Sequence, residues 1–476
     1  MNKISFKHLI GGELVDGLGK EMEVYSPITG KVIARFAEAS SEQAILAAKE
    51  AEIAFKTWSK LSLSQREKYI LNFANKLEEN KETIIDLLIQ ETGKAYETAE
   101  YDFNMLPDCL RFFIEEAKRL DGSIIPDYDD GHMNMIIRKP VGVVVGYLAW
   151  NFPLLNIGYK LGPSLASGCT CVLKPAFITP LASLYVGMLA HESGMPAGVI
   201  NMIAGAGASI SETLNQSTIP DLITLIGSSQ TGRKIVEQSA TSIKHLSLEL
   251  GGNAPVIVFD DADIEQAVSA IAKGKFTNSG QVCVAPNRVF VHKNIKDEFI
   301  LKVKEFVEGI TLGSGKDEAD FLMGPLSSAR AVSSMEYLIE DAVKKGAIIL
   351  CGGKKAERDG YFFQPTVLMN VTKDMKVYQE EIFGPIMPIL EFDENDDPVE
   401  LANDTIYGLA AYVYTNNLKE ALNLARNIDS GSVCVNEPFF TYNMPHGGCK
   451  ESGVGKDCSR FSLEEYYYVQ RISLKL

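Results

Sequence analysis

Hydrophobic positions recur at helical spacing in the N-terminal third of the 476-residue chain. Ser40 and Gln43 form a capping-box pattern, which predicts that a helix begins directly after Ser40. The positions that follow place apolar side chains on one helical face: Ala44, Ala47, Ala48, Ala51, Ala54, Phe55 and Trp58. A second helical pattern covers roughly residues 65–90.

From residue 141 onward, short apolar and β-branched runs alternate with helical patterns. Strands are predicted at residues 141–148, 170–173, 199–203, 222–225 and 255–259. A helix is predicted after the acidic segment 260–263, because carboxylates favour a helix N-terminus. This alternation predicts parallel βαβ units in a doubly wound sheet, and its continuation to about residue 440 predicts a second α/β unit.

Two segments fit neither unit: residues 123–139 are polar and extended, and residues 466–476 alternate like a terminal strand. Residues 141–159 carry no charge, and this run is nearly as long as a membrane span. Asn151, Pro153 and three glycines interrupt it, however. We therefore predict a buried strand that runs into a turn.

Length and charge narrow the classes of function. The length predicts two or three domains. The net charge of −16 argues against nucleic acid or an anionic membrane as a partner, although lysines and backbone N–H groups can still bind an anionic cofactor. The eight cysteines are scattered without a CxxC pair, so no metal site is predicted. The N-terminus lacks the apolar core of a secretory signal, which favours a cytoplasmic protein with reduced thiols.

The most informative residues are Cys283 and Glu249. Cys283 follows the small-residue segment 278–282, and Glu249 is followed by Leu250-Gly251-Gly252. The glycines allow the backbone to pass close to a ligand. A thiolate nucleophile and a carboxylate base are the groups that oxidise or hydrolyse a carbonyl through a thioester.

These segments, and the order of the motifs from about residue 10 to about residue 471, resemble the aldehyde dehydrogenase superfamily. The resemblance implies an α/β aldehyde dehydrogenase fold with a Rossmann-like doubly wound cofactor domain, a second α/β catalytic domain and a small β oligomerisation arm. The expected boundaries are 1–122 with 140–249 for the cofactor domain, 250–448 for the catalytic domain, and 123–139 with 449–476 for the arm. A dimer or tetramer is also implied.

The resemblance assigns the catalytic roles. Cys283 would attack the aldehyde carbon, and loss of hydride from the hemithioacetal to NAD(P) would leave a thioester. Asn151, in the segment 150–153, would donate its amide to the substrate oxygen beside the backbone N–H of Cys283. Glu249 would deprotonate the water that hydrolyses the thioester. Family members that release acyl-CoA typically lack this Glu, so a free acid is the expected product.

The resemblance also locates a site for NAD or NADP. The turn Gly227-Ser228, followed by Gly232, comes directly after a predicted strand and is similar to the family's pyrophosphate turn. The alternative segment 205–210 lacks the third glycine of a G-x-G-x-x-G motif. The other implied cofactor contacts are Trp150, Lys174, Leu250, Gly251, Glu381 and Phe383.

The choice between NAD and NADP is open at this point. The resemblance places Lys174 at the adenosine ribose and Glu381 at the nicotinamide ribose. Strict NAD users often carry Glu three residues after this lysine, where the chain has Phe177. Phenylalanine neither binds the ribose hydroxyls nor repels a 2′-phosphate, so NADP with Lys174 as its phosphate partner is the second possibility.

Pocket positions bear on the choice of aldehyde. The segment 281–285 resembles the succinate-semialdehyde branch, but Tyr159 and Thr277 replace the two arginines that meet the distal carboxylate in that branch. We therefore expect a small neutral or amino aldehyde, with succinate semialdehyde as the alternative if another arginine substitutes. The predicted pocket residues are Phe152, Tyr159, Thr277, Val282, Val284, Glu437 and His446.

Two pocket residues flank or belong to a closing glycine-rich signature at residues 444–456. His446 stands where the family usually has Phe, and Glu437, just before the signature, offers a carboxylate to an amine.

Two other functions are alternatives: an esterase or acyl-CoA-forming thiol enzyme, and a structural or binding protein on the same fold. Glu249 and the cofactor motifs argue against the first. The presence of nucleophile, base and Asn151 together argues against the second.

Overall fold

The structure, a computed structural model, describes residues 4–476. Its strands are β1 (His8–Ile10), β2 (Glu13–Val15), β3 (Glu21–Tyr25), β4 (Val32–Ala37), β5 (Ser123–Ile125), β6 (His132–Pro140), β7 (Val143–Tyr147), β8 (Thr170–Lys174), β9 (Ile200–Met202), β10 (Leu222–Ile226), β11 (His245–Glu249), β12 (Ala254–Val258), β13 (Pro286–His292), β14 (Thr311–Leu312), β15 (Leu322–Met323), β16 (Ile348–Cys351), β17 (Thr366–Met369), β18 (Ile386–Phe392), β19 (Tyr407–Gly408), β20 (Ala410–Tyr414), β21 (Ser432–Val435), β22 (Cys449–Lys450), β23 (Gly453–Val454) and β24 (Tyr467–Lys475). Its α-helices are α1 (Ser41–Trp58), α2 (Leu63–Glu79), α3 (Lys81–Thr92), α4 (Tyr96–Arg119), α5 (Pro153–Ser167), α6 (Leu181–Glu192), α7 (Ala208–Gln216), α8 (Ser229–Gln238), α9 (Ile264–Phe276), α10 (Lys296–Glu308), α11 (Ala329–Lys344), α12 (Lys376–Gln379), α13 (Pro398–Asn403), α14 (Leu418–Asn427) and α15 (Ser459–Glu464).

An eight-stranded sheet is built around five parallel strands in the order β9-β8-β7-β10-β11. β1 and β2 extend one edge, and β23 extends the other, all in antiparallel pairing. Every residue of β7 and β10 is buried, as expected for parallel strands covered by helices on both faces. The doubly wound parallel sheet predicted from the sequence is therefore confirmed.

A seven-stranded sheet follows the order β16-β17-β18-β13-β12-β20-β21 and is parallel except at the β16–β17 edge. Side chains along β12 alternate between two apolar clusters. Val256 packs in the cluster that includes Phe299 of α10, and Ile257 packs in the one that includes Leu338 of α11. The predicted second α/β unit is present.

A three-stranded antiparallel sheet has the order β24-β6-β5. β24 pairs with β6 from Tyr467 opposite Pro140 to Lys475 opposite His132, so the terminal strand predicted at residues 466–476 is confirmed. This sheet exposes apolar side chains, among them Ile124, Val469 and Leu474. Such a surface supports self-association. The assignment of this sheet to an oligomerisation arm and the expected domain boundaries stay predictions.

The N-terminal helices begin as the sequence predicts but are divided differently. Gln43 donates its backbone N–H to the Ser40 hydroxyl oxygen and its side chain accepts from the Ser40 N–H, so α1 begins at Ser41. The pattern over about residues 65–90 corresponds to two helices rather than one. The break lies at Asn80, whose amide donates to the carbonyl oxygen of Lys76. Asparagine competes in this way for helical backbone groups and favours helix ends.

The charge-free run at residues 141–159 forms β7, a turn and the start of α5. The prediction of a buried strand followed by a turn is confirmed. Among residues 4–476, no helix combines the length and the apolar character needed to cross a membrane.

A buried ion pair holds the start of α5, which directly follows the predicted oxyanion residue. Lys94 Nζ lies 2.6 Å from Asp102 Oδ2, and both side chains are almost wholly inaccessible to solvent. The other carboxylate oxygen of Asp102 accepts the backbone N–H groups of Leu154 and Leu155 at 3.1 and 2.8 Å. The carboxylate thus binds the orphan donors of a helix N-terminus, where negative charge is favoured.

Removing this carboxylate should destabilise the fold strongly. Asp102→Ala leaves the Lys94 ammonium buried without its partner, and we expect a loss of about 3–5 kcal/mol in the free energy of unfolding, measured by urea denaturation. The surface pair Lys7–Asp16, with side chains 29% and 74% exposed, is the control. Asp16→Ala should cost less than about 1 kcal/mol. Equal losses in the two variants would contradict the role given to the buried pair.

Candidate active site

Segments from both large sheets line a cavity of about 800 Å³. The segments that follow β7, β8, β10 and β11 contribute from the eight-stranded sheet, and the segment before β13 contributes from the seven-stranded sheet. The carboxyl ends of parallel strands lie at one edge of a sheet, so the segments after β7, β8, β10 and β11 converge there. Cys283, Glu249 and Asn151 all line this cavity.

A left-handed stretch of backbone delivers Cys283 to the cavity. The φ angles of Asn278, Ser279 and Gly280 are 51°, 58° and 71°. Asparagine and glycine tolerate this region, and a Cβ at Gly280 would overlap the carbonyl oxygen of Gly384. Ser279 adopts it while its hydroxyl donates to the carbonyl oxygen of Gly324 at 2.6 Å. Surrounding contacts therefore impose a conformation that the chain alone disfavours.

The predicted oxyanion residue is hydrogen-bonded into the same loop. Asn151 Nδ2 donates to the carbonyl oxygen of Gln281 at 3.1 Å, and Asn278 Nδ2 donates to the carbonyl oxygen of Asn151 at 3.2 Å. The Gln281 side chain in turn accepts the backbone N–H of Ser327 at 2.8 Å. Because these bonds join the turn after β7 to the loop before Cys283, the positions of Asn151 and Cys283 are coupled.

The glycines after Glu249 serve close approach between protein segments. A Cβ at Gly252 would overlap the carbonyl oxygen of Cys283, and one at Gly251 would lie 2.6 Å from Glu381 Oε2. Gly252 also donates its N–H to Glu381 Oε1 at 3.0 Å. Only residues without a side chain permit this contact. Glu249, at the end of β11, is thereby brought beside the Cys283 loop.

The side chains of Cys283, Glu249 and His446 form a compact group, here called the thiol cluster. His446 Nε2 lies 3.3 Å from Glu249 Oε1 and 4.0 Å from Cys283 Sγ. The backbone of His446 exchanges two hydrogen bonds with Asp457, at 2.7 and 2.6 Å, which fixes the segment that carries the imidazole. One ring nitrogen therefore stands between the thiol and the carboxylate.

Burial and charge determine the protonation of this cluster. Burial raises the pKa of the Cys283 thiol well above its ordinary value, and the Glu249 and Glu381 carboxylates raise it further. Burial acts to lower the pKa of His446, but interaction with the Glu249 carboxylate, 3.3 Å away, outweighs this effect and raises it. The sulfur is held as a thiol, so a neighbouring base must take its proton before it can act as a nucleophile.

The opposite end of the cavity is formed by the N-terminus of α8. Gly227 and Ser228 make the turn after β10, and the Ser228 hydroxyl oxygen accepts the N–H of Thr231 at 3.2 Å. Gly232 lies where α8 packs against Leu250, outside the cavity lining. The first turn of a ten-residue helix supplies unpaired N–H groups and a positive dipole end, which suit a phosphate.

In the alternative glycine segment at residues 205–210, backbone N–H groups that could bind a phosphate are already hydrogen-bonded within the protein. The Glu38 carboxylate accepts the backbone N–H groups of Ala206 and Gly207 at 2.9 and 3.2 Å. A carboxylate in this position would repel a phosphate. The structure thus gives a physical reason for the weakness of this motif, beyond its missing third glycine.

Two lysines line the α8 end of the cavity, Lys174 and Lys234. Burial lowers the pKa of Lys174 to about 8, against the opposing charge of Glu38. Phe177 lines the same end and is 52% exposed. Three carboxylates also line the cavity, those of Glu249, Glu381 and Asp457. Their charges interact with one another beside the thiol cluster.

Glu381, Phe383 and Trp150 also line the cavity. Burial raises the pKa of Glu381 to about 7, with Glu249 adding to the rise and the Gly252 N–H opposing it. The rings of Trp150 and Phe383 meet edge to face at 5.3 Å between centroids. An ionisable carboxylate beside two aromatic rings suits a sugar hydroxyl next to a flat heterocycle.

The cavity beyond Cys283 is aromatic and apolar. Phe152, Tyr159, Val282, Val284 and His446 line it. Thr277 and Glu437 do not; they line a neighbouring cavity of about 560 Å³ that shares Phe152 and both valines. The exposed Lys273 lines that neighbouring cavity as well.

Sequence reasoning missed several lining residues. Tyr101 comes from α4, Lys234 from α8, Phe440 from the loop before the closing signature, and Asp457 from just after that signature. Tyr101 and Phe440 carry no local signal, because aromatic side chains at such positions are indistinguishable from ordinary core. Asp457 follows the last glycine of the signature by two positions. That adjacency could have drawn attention to it.

Comparisons with known proteins agree on one group. A family model described as the aldehyde dehydrogenase family matches residues 14–472. The chain is 41% identical to a succinate-semialdehyde dehydrogenase [NADP(+)] of Schizosaccharomyces pombe over 96% of this chain and 93% of that protein. It is 36% identical to a succinate-semialdehyde dehydrogenase [NADP(+)] of Escherichia coli over 98% and 97%. A betaine aldehyde dehydrogenase from Staphylococcus aureus in complex with NAD+ superposes with a TM-score of 0.95 at 35% identity, covering 99% of this chain and 95% of that one.

The pKa of Glu381 predicts how dinucleotide affinity varies with pH. If Glu381 holds the nicotinamide ribose, as the sequence predicts, the ribose hydroxyls would donate to its ionised carboxylate, the form that predominates above its pKa of about 7. The dissociation constant for NAD+ should therefore fall about tenfold from pH 6 to pH 8, as the competent fraction rises. NAD+ is the titrant because a 2′-phosphate titrates near pH 6 itself. Fluorescence titration of Glu381→Gln should show a flat profile; an unchanged slope would reject this assignment.

Proposed function

The chain belongs to the aldehyde dehydrogenase family, and on that premise we propose that it oxidises a small aldehyde to the free carboxylic acid, with NAD(P)+ as oxidant. One observation carries the proposal. A buried thiol, a carboxylate and a side-chain amide meet at one end of a cavity whose other end is a helix N-terminus flanked by lysines. The cavity volume of about 800 Å³ is large enough for a dinucleotide segment and a small aldehyde.

Cys283 is the proposed nucleophile. Its proton passes to a neighbouring base of the thiol cluster, and the sulfur attacks the aldehyde carbon to give a hemithioacetal. The substrate oxygen then gains negative charge. Asn151 Nδ2 uses one proton on the Gln281 carbonyl oxygen and has a second to donate to that oxygen, beside the backbone N–H of Cys283.

The residues that would hold NAD(P)+ fit its chemistry. Gly227, Ser228 and the first turn of α8 suit the pyrophosphate, and Glu381 suits the nicotinamide ribose. When bound, the nicotinamide supplies the hydride acceptor. The edge-to-face pair of Phe383 and Trp150 offers aromatic surface to the nicotinamide. The product of oxidation is a thioester on Cys283.

Glu249 is the proposed base for hydrolysis of that thioester. Its Oε1 is buried and makes no hydrogen bond of good geometry within residues 4–476, so it is available to accept a proton from water. The Gly251-Gly252 contact keeps this carboxylate beside the Cys283 loop. Water attacks the acyl carbon, the carbon–sulfur bond breaks, and the carboxylic acid leaves with Cys283 regenerated.

We propose NADP+ as the preferred cofactor. Lys174 and Lys234 supply two positive charges at the adenosine end, and Phe177 stands where a carboxylate would repel a 2′-phosphate. The relatives from S. pombe and E. coli, both named for NADP(+), lend further support.

For the aldehyde, we propose a small neutral or amino substrate. The chamber beyond Cys283 is lined by the aromatic side chains of Tyr101, Phe152, Tyr159 and Phe440. The buried Asp457 carboxylate is already paired with Lys160 at 2.5 Å, so this lysine is not free to meet the distal charge of an anionic aldehyde. Succinate semialdehyde is the second candidate, because the relatives at 36–41% identity bear that name. The exposed Lys273 in the adjoining cavity is a cation that could meet its distal carboxylate.

Rapid-mixing kinetics separate the two chemical roles. Cys283→Ala should bind cofactor normally and form no NAD(P)H. Glu249→Gln should form about one NAD(P)H per site in a fast burst and then turn over at least about 100-fold more slowly, because hydrolysis has lost its base. The burst is followed by nicotinamide absorbance and the acyl-enzyme by intact mass. Steady turnover of Glu249→Gln at the wild-type rate would assign the base elsewhere.

The substrate class is tested by initial rates that cross NAD+ and NADP+ with succinate semialdehyde, 4-aminobutanal, lactaldehyde, glycolaldehyde, propanal and benzaldehyde. We expect kcat/KM to be highest for a neutral or amino aldehyde with NADP+. A strong preference for succinate semialdehyde that Lys273→Gln abolishes would establish the second candidate.

The cofactor preference is tested by Phe177→Glu. The introduced carboxylate should lower kcat/KM for NADP+ by about tenfold or more and leave kcat/KM for NAD+ unchanged.

A further inference from the structure

The thiol cluster has the composition of a metal site, although no cysteine pair in the sequence predicts one. Its ligand atoms, one from each of Cys283, Glu249 and His446, all lie within 4.8 Å of one another. Thiolate, imidazole and carboxylate are the three ligand types that Zn²⁺ takes from proteins. We propose that these three side chains bind Zn²⁺ and that the zinc-bound enzyme is an inactive state.

The distances require only small side-chain movements. With zinc–ligand bonds of about 2.0–2.3 Å, neighbouring ligand atoms of a tetrahedral site lie roughly 3.3–3.7 Å apart. His446 Nε2 and Glu249 Oε1 are 3.3 Å apart, and Cys283 Sγ lies 4.0 Å from the same nitrogen. The imidazole–carboxylate edge is already at the required length. The sulfur must move closer to both partners, from 4.0 Å at the nitrogen and from no more than 4.8 Å at the carboxylate oxygen.

The groups are also poised electrostatically for a dication. Glu249 is 4% exposed, and its Oε1 has no well-aligned hydrogen-bond partner among the described residues. The nearest buried ammonium groups are committed elsewhere: Lys160 lies 2.5 Å from Asp457, and Lys275 donates to Asn287 at 2.8 Å. Zn²⁺ with one thiolate and one carboxylate is neutral overall. Neutrality lowers the cost of burying the carboxylate and the thiolate side by side.

Binding consumes all three groups at once. Cys283 releases its thiol proton to solvent as the sulfur–zinc bond forms, and His446 Nε2 releases any proton it carries as the nitrogen–zinc bond forms, with no change in oxidation state. The bound sulfur is no longer free to attack an aldehyde, and Glu249 is no longer free to activate water. All three residues line the cavity, so water would be available as the fourth ligand, as in sites with three protein ligands.

This inference concerns the enzyme without substrate or cofactor, so its test does not depend on the proposed reaction. Metal-free protein is equilibrated with Zn²⁺, desalted and analysed by elemental mass spectrometry. We expect one zinc per chain. Co²⁺ should replace it and give a thiolate-to-cobalt charge-transfer band in the near ultraviolet, together with the visible bands of a tetrahedral site.

Matched variants identify the ligands. Cys283→Ser and His446→Gln should each weaken Zn²⁺ binding by more than about 100-fold, a larger loss than that seen on removing groups that merely orient metal ligands. The controls are Cys351→Ser, in β16, and His245→Gln, at the exposed start of β11. Both controls should retain one zinc per chain. Zinc retention that is equal in all four variants would place the metal elsewhere.

Alkylation provides an independent readout. Iodoacetamide should modify Cys283 at least about tenfold more slowly with Zn²⁺ present, since a coordinated thiolate is a weaker and less accessible nucleophile. Cys449, which is exposed, is the internal reference and should react at the same rate with and without the metal. The proposal is rejected if wild-type protein retains no stoichiometric zinc, or if Zn²⁺ leaves the alkylation rate of Cys283 unchanged.

Discussion

The arrangement of this active site depends on one close backbone contact. Gly252 passes against the carbonyl oxygen of Cys283, and Gly251 passes against the Glu381 carboxylate, at distances that exclude a Cβ. That contact joins the edge of the eight-stranded sheet to the loop that feeds the seven-stranded one. Without it, a carboxylate from one unit and a thiol from the other would not share a cavity. The left-handed backbone of residues 278–280 brings Cys283 to this contact from the loop before the seven-stranded sheet.

Much of this arrangement was visible in the sequence, because local chemistry determines it. The capping box before α1, the apolar runs of β7 and β10, and the acidic start of α9 each act over a few residues. Resemblance to the sequence motifs of a known family extended the prediction to the catalytic residues Cys283 and Glu249. The division of α2 and α3 at Asn80 was missed, because a single asparagine in a periodic pattern is a weak signal.

Contacts between distant segments explain what the sequence could not provide. Tyr101, Asp457 and the imidazole–thiol proximity depend on tertiary packing, and none has a local pattern. Thr277 and Glu437 show the opposite case: their positions in the sequence suggest the main cavity, but the fold places them in the adjoining one. Charge is also arranged only in three dimensions. Lys174 and Lys234 and the carboxylates of Glu249, Glu381 and Asp457 come from distant parts of the chain and line one cavity.

The pairing of β24 with β6 bears on the order in which the chain folds during synthesis. β5 and β6 are neighbours in sequence and can pair early, whereas β24, the partner on the other side of β6, is synthesised only after the strands of both large sheets. Until then β6 has an unsatisfied edge, which is the kind of surface that joins wrongly to other chains. Completion of the three-stranded sheet is therefore a late event, and chains that terminate early would retain an open, apolar edge that is prone to aggregation.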